Sequence, residues 1–107
     1  MESANLTGRR ILVVEDELLI AMLVEGALAD IGCVTIGPVG DLESALRMAQ
    51  TEPLDAAILD VTIRGGQVFP VAEALRARNL PFVLASGYGD WALPEPFRDQ
   101  PRLTKPF

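Results

Sequence analysis

Three stretches constrain this chain more than any other feature: ILVV (Ile11–Val14), AAIL (Ala56–Leu59) and FVLA (Phe82–Ala85). Each is a continuous apolar run, too short for a helix and without the in–out alternation of a half-exposed strand. Each therefore reads as a strand buried on both faces. CVTIG from Cys33 is a further strand candidate, and RLT before Lys105 is a short one. Between them lie segments with helical spacing. ELLIAMLVEGALADI puts Ile20, Val24, Ala27, Leu28 and Ile31 on one stripe and stops at Gly32, as a residue just past a helix end should. DLESALRMAQT opens on an N-cap Asp41 and carries Leu42, Ala45, Leu46 and Ala49 at helical spacing. VFPVAEALRARN has Pro70 in its first turn, where a missing N–H costs little. Strand and helix thus alternate from Ile11 to Ala85. That pattern predicts an α/β fold, a doubly wound parallel sheet with right-handed crossovers and helices on both faces. In such sheets a ligand site lies beyond the carboxyl ends of the strands.

The bulk properties bound what such a fold can do. With 107 residues the chain has room for one domain and one core. Its net charge of −6 argues against direct nucleic-acid binding, which needs a basic surface. The single cysteine, Cys33, permits no internal disulfide and reads as a small buried hydrophobe in a reducing compartment. No stretch resembles a secretory signal and no apolar run approaches ~20 residues, so the expectation is a cytoplasmic protein without a membrane segment. Histidine is absent, which removes the commonest general base and zinc ligand.

The residues that follow the apolar runs are polar: Glu15 and Asp16 after the first, Asp60 after the third, Ser86 after the fourth and Lys105 after the fifth. Singly, each has an ordinary reading. Glu15, Asp16 and Glu17 suit a helix N-terminus, Asp60 and Ser86 suit turns, and Lys105 suits solvent. Together they would gather three carboxylates, a hydroxyl and an ammonium at one sheet edge. Clustered carboxylates call for a hard divalent cation such as Mg²⁺ (or Mn²⁺). A carboxylate beside such an ion can act as a nucleophile toward phosphorus, while the ion, Lys and a hydroxyl neutralise the phosphoryl oxygens.

ILVVEDE, AAILDV, LASG and KPF, in this order and spacing, resemble the receiver domain of bacterial two-component response regulators over residues 10–107, with residues 1–9 as an N-terminal extension. The resemblance implies a flavodoxin-like five-stranded sheet of order 2-1-3-4-5. It makes Asp60 the phosphoacceptor, Asp16 a direct Mg²⁺ carboxylate, Glu15 a ligand largely through water, and Thr62 a ligand through its backbone carbonyl. Ser86 and Lys105 would hold phosphoryl oxygens, and the Lys105–Pro106 bond would be cis. The phosphodonor would be a phosphohistidine on a histidine kinase or a histidine phosphotransfer protein. The chain itself would be no enzyme beyond weak self-phosphorylation from small donors and autodephosphorylation.

Departures from the family pattern sharpen the expectation. The fifth-strand aromatic that usually serves as a switch is replaced by Arg102, while Tyr88 follows Ser86-Gly87. FVLASGYG and VTIRGG are similar to motifs of the FAT GUY subfamily, whose members are paired with HWE-type kinases. Thr62, Gly87, Tyr88 and Arg102 then become the modulating positions. The prolines of GDWALPEPFRDQP leave room only for a short or irregular fourth helix, with Trp91, Leu93 and Phe97 covering the sheet. The sequence stops after KPF, where the family continues into a fifth helix, so that helix is absent from the residues at hand. Leu18, Leu19, Met22 and Leu23 lie outside the core stripe and suggest a partner site; a homodimer through the face left bare is a further expectation. Two other classes share parts of this pattern. One is a pseudo-receiver that binds partners without phosphorylation. The other is a haloacid-dehalogenase-like phosphatase, whose D-x-D pair on the first strand is missing here.

Overall fold

The computed structural model describes residues 6–86, 95–97 and 100–104. In chain order the elements are β1 (Arg10–Val14), α1 (Leu18–Asp30), β2 (Val34–Val39), α2 (Leu42–Thr51), β3 (Ala56–Asp60), β4 (Thr62–Ile63), β5 (Gly66–Gln67), α3 (Phe69–Ala77), β6 (Phe82–Ser86), a 3₁₀ turn (Glu95–Phe97) and β7 (Arg102–Thr104). Five strands form one sheet of order β2-β1-β3-β6-β7, all pairs parallel. With the small antiparallel hairpin β4–β5 set aside, this is the flavodoxin-like 2-1-3-4-5 order. The hairpin itself has no counterpart in the apolar pattern.

The alternation of β1 divides the core between the two faces. Leu12 and Val14 point to the α2/α3 side, where they join Leu59 and Leu84 beneath Ala45, Ala49, Val71 and Leu75. Ile11 and Val13 point to the other side and meet Val24 and Leu28 of α1. Small residues on α2 let that helix lie close to the sheet, and Asp41 caps it by accepting a hydrogen bond from the Ser44 N–H at 2.9 Å. That bond holds the Asp41 carboxyl below its ordinary pKa, with smaller help from Arg64 and Arg47.

Two expectations need correction. The buried stripe of α1 is Ala21, Val24 and Leu28 with half-buried Ile20, whereas Ala27 and Ile31 are exposed. This helix is apolar around most of its circumference, so its sequence carries little periodic signal to show which stripe turns inward. Cys33 is only half-buried, its thiol lying 3.6 Å from the Leu6 carbonyl. It helps line an apolar groove of about 350 Å³ on the α1 side of the sheet, together with Ile11, Leu28, Ile31 and Ile58. The stop at Gly32 is as expected. Its φ of +86° lets the Gly32 N–H reach Ala29 O at 3.0 Å and the Cys33 N–H reach Leu28 O at 2.9 Å, closing α1 in a Schellman motif.

Between β6 and β7 the described residues hold a 3₁₀ turn. Phe97 is its anchor: 1% exposed, stacked on Phe69 at 5.3 Å between ring centroids, and faced by Arg76 at 4.6 Å. Arg76 also donates to Pro96 O at 3.0 Å and to Gln100 Oε1 at 2.9 Å, which ties the turn to α3. The expected covering role of Phe97 is met. Trp91 and Leu93 lie outside the described residues. Among the described residues no helix is long and apolar enough to cross a membrane.

Candidate functional site

Parallel pairing carries two carboxylates to the same edge. Val14 of β1 is in register with Leu59 of β3, so Glu15 and Asp60 each stand one residue further along on neighbouring strands. The chain is held there by two bonds past the strand ends, Glu15 N–H to Val39 O at 2.9 Å and Val61 N–H to Ala85 O at 3.0 Å. Glu15 and Asp60 are buried, at 6% and 5% exposure, while Asp16 is exposed. One carboxylate oxygen from each of Glu15, Asp16 and Asp60 lies within 4.8 Å of the others. Buried carboxylates in such a group are not left to themselves. Glu15 Oε2 accepts the Glu17 N–H at 3.0 Å, and Asp60 Oδ1 accepts the Thr62 N–H at a longer 3.4 Å.

The remaining sequence candidates distribute unevenly about this cluster. Ser86 is the last residue of β6, next after Ala85, which pairs with Asp60, and it is itself in register with Thr104 of β7. Its backbone is therefore on the carboxylate edge. Thr62 opens the hairpin, paired with Gln67, and is exposed. Arg102 opens β7 opposite Leu84 and is exposed, so this position presents a charge at the surface. Gly87, Tyr88, Lys105 and Pro106 lie outside the described residues.

Two residues that the pattern reading passed over belong to the site. The hairpin is stitched to the loop after β2 by Arg64 N–H to Gly40 O at 3.2 Å, Leu42 N–H to Arg64 O at 2.8 Å, and Arg64 Nε to Gly40 O at 3.3 Å. Gly40 sits where Arg64 and Asp16 converge. A Cβ there would lie 2.6 Å from Arg64 Nη2, 3.1 Å from Asp16 Cα and 3.2 Å from Asp16 Cβ. No side chain fits without moving one of them. The contact joins residues far apart in sequence, so only the GPVGD and IRGG glycines hinted at it.

Chemically the cluster suits a small hard cation. Ligand oxygens on an octahedral Mg²⁺ at ~2.1 Å lie about 3 to 4 Å apart, so a 4.8 Å spread is closed by small side-chain shifts or by a bridging water. The donor set is all oxygen, as Mg²⁺ and Mn²⁺ prefer.

Comparison with known proteins agrees with this geometry. No family model matches the chain. The transcriptional regulatory protein PdtaR of Mycobacterium tuberculosis is 32% identical over 103 residues, which are 92% of this chain and 50% of PdtaR. The chain thus spans about half the length of the curated relatives it matches. Among solved structures, SdrG from Sphingomonas melonis Fr1 is 48% identical with a TM-score of 0.84, covering 97% of this chain and 87% of SdrG. The BeF3-activated conformation of SdrG from Pseudomonas melonis Fr1 is 47% identical with a TM-score of 0.76, covering 99% and 88%. A response regulator receiver protein from Sinorhizobium medicae WSM419 is 26% identical with a TM-score of 0.77, covering 94% and 84%. With its sheet order, its carboxylates at the strand ends and these relatives, the chain belongs to the response regulator receiver-domain family.

Proposed function

We propose that this domain accepts a phosphoryl group on Asp60 in a Mg²⁺-dependent reaction and passes the signal on through altered protein contacts. The observation that carries the reading is the convergence of Glu15, Asp16 and Asp60 within 4.8 Å at the edge where β6 delivers Ser86. The all-oxygen donor set fits the ion, which Asp16 and Asp60 would hold directly, Glu15 through water, and the Thr62 carbonyl would complete the protein's share. When bound, the ion supplies positive charge that offsets the phosphoryl oxygens and the carboxylates together.

The chain's own residues do the rest. An Asp60 oxygen attacks phosphorus in line with the leaving group. The new O–P bond forms as the donor's P–N bond breaks, and the electron pair leaves on the imidazole of a phosphohistidine, which takes a proton from solvent. A carboxylate needs no base to activate it, so the absence of histidine is no obstacle. Burial of Asp60 excludes water from one side of the nucleophile, and the Thr62 N–H fixes one of its oxygens. Ser86 and Lys105 are assigned to the phosphoryl oxygens. The 47%-identical SdrG adopts an activated conformation with BeF3, an anion that has the shape and charge of a phosphoryl group, which supports the same event here.

The finer assignments follow from the same reading. Gly87, Tyr88 and Arg102 form the modulating set of a FAT GUY-type receiver, in which Tyr88 replaces the fifth-strand aromatic. The donor is a cytoplasmic histidine kinase of HWE type or a histidine phosphotransfer protein, docking on the exposed apolar residues of α1. The chain acts as a substrate and switch, with at most slow turnover of its own phosphate. Incubation with acetyl phosphate, followed by intact-mass measurement, tests the reading. A phosphoryl adduct that needs Mg²⁺ and is lost in Asp60→Asn is expected. No adduct, or one that persists in Asp60→Asn, overturns it.

A further inference from the structure

The geometry assigns Arg64 a role that sequence pattern did not suggest: we infer that it is a fixed rim cation that weakens divalent-metal binding at the acidic cluster. The inference rests on the reading of Glu15, Asp16 and Asp60 as the metal site. Arg64 is not a loosely solvated arginine. Its backbone is bonded on both sides to the loop after β2, through Gly40 O and the Leu42 N–H, and its Nε holds the Gly40 carbonyl again. Its terminal Nη2 and the Cα and Cβ of Asp16 meet at one point over Gly40, at 2.6, 3.1 and 3.2 Å from where a Cβ would be. A positive charge is thereby held over Gly40, beside the backbone and Cβ of Asp16, which is the one exposed residue of the three.

The consequence is electrostatic. An incoming divalent cation meets a like charge at the rim. That repulsion opposes binding, and a doubly charged ion feels it twice as strongly as a monovalent ion. Arg64 is solvent-exposed, so water and salt weaken the repulsion without abolishing it inside a Debye length. Each unit of charge removed at position 64 should tighten Mg²⁺ binding by roughly two- to tenfold in moderate salt. The device prevents the carboxylates from holding the ion too firmly.

The test is a charge series at one position: Arg64→Lys, Arg64→Gln and Arg64→Glu, with Arg47→Gln on α2 as an exposed control cation. Mg²⁺ affinity is read directly by calorimetry or amide chemical shifts in the unphosphorylated protein, and circular dichroism reports folding. Expected is near wild-type affinity for Lys, tighter binding for Gln, tighter still for Glu, and no change for Arg47→Gln. Raised salt should compress the series. A purely structural arginine would give weaker binding in Gln and Glu alike, without charge order. Wild-type binding with no ordered response to the series overturns the rim role alone. No Mg²⁺ binding to the wild type overturns the metal-site reading, and this inference with it.

Discussion

The helices α1 and α2 flank the same sheet, yet they are built to different ends. α2 is capped by Asp41, buries two alanines and turns polar side chains to solvent. It is finished as a fold element. α1 begins at Glu17, which makes no side-chain capping bond, and it leaves Leu18, Leu19, Met22 and Leu23 exposed at 74, 76, 55 and 56%. An outer surface that apolar does nothing for an isolated domain, since those groups stay in water before and after folding. Its position at the start of α1, directly after the Glu15–Asp16 pair, places it beside the carboxylate cluster. The contrast fits the proposal that α1 meets the phosphodonor while α2 closes the core.

Substitutions can separate those roles, and the largest effect should come from the inner face of α1. Leu28 is 8% exposed and packs on Ile11 and Val13, so Leu28→Ala should cost about 2–5 kcal/mol, read as a lower urea midpoint. Ala45 of α2 is fully buried, and Ala45→Leu should cost about 1–3 kcal/mol by overpacking. A smaller effect is expected at the cap. Asp41→Ala removes the bond to Ser44, and its cost depends on pH. Folding lowers the Asp41 pKa, so the wild type's advantage is complete above the ordinary value of about 3.9 and fades as pH falls through the lowered one. Urea midpoints of the two proteins should differ at neutral pH and converge in acid. Least of all, Leu19→Glu on the outer face should shift stability by no more than about 0.5 kcal/mol. It should nevertheless slow phosphotransfer from a phosphohistidine donor while leaving uptake from acetyl phosphate intact. Equal losses from both donors would remove the distinction between the two helices.

How far the sequence announced all this depended on the range of the contact. ILVV, AAIL and FVLA marked strands because burial on both faces writes an unbroken apolar run, and the residue after each run then fell at the carboxyl edge. Glu15, Asp16, Asp60 and the backbone of Ser86 were legible for that reason. The inner stripe of α1 differs from the expectation at Ala27 and Ile31 because the outer face is apolar too, which erases the period. The β4–β5 hairpin escaped notice, since two-residue strands around Gly65-Gly66 leave no alternation to see. Gly40 and Arg64 were barely legible, because their meeting beside Asp16 is a through-space approach at which only local glycines hinted.

Chemical trapping can locate the phosphoryl group proposed for Asp60. After acetyl phosphate and Mg²⁺, reduction with borohydride converts an aspartyl phosphate to homoserine, and peptide sequencing by mass spectrometry locates it. Homoserine at position 60, dependent on Mg²⁺, is the expected result. Homoserine at Asp16, or none at any carboxylate of a folded protein that binds Mg²⁺, would contradict the account.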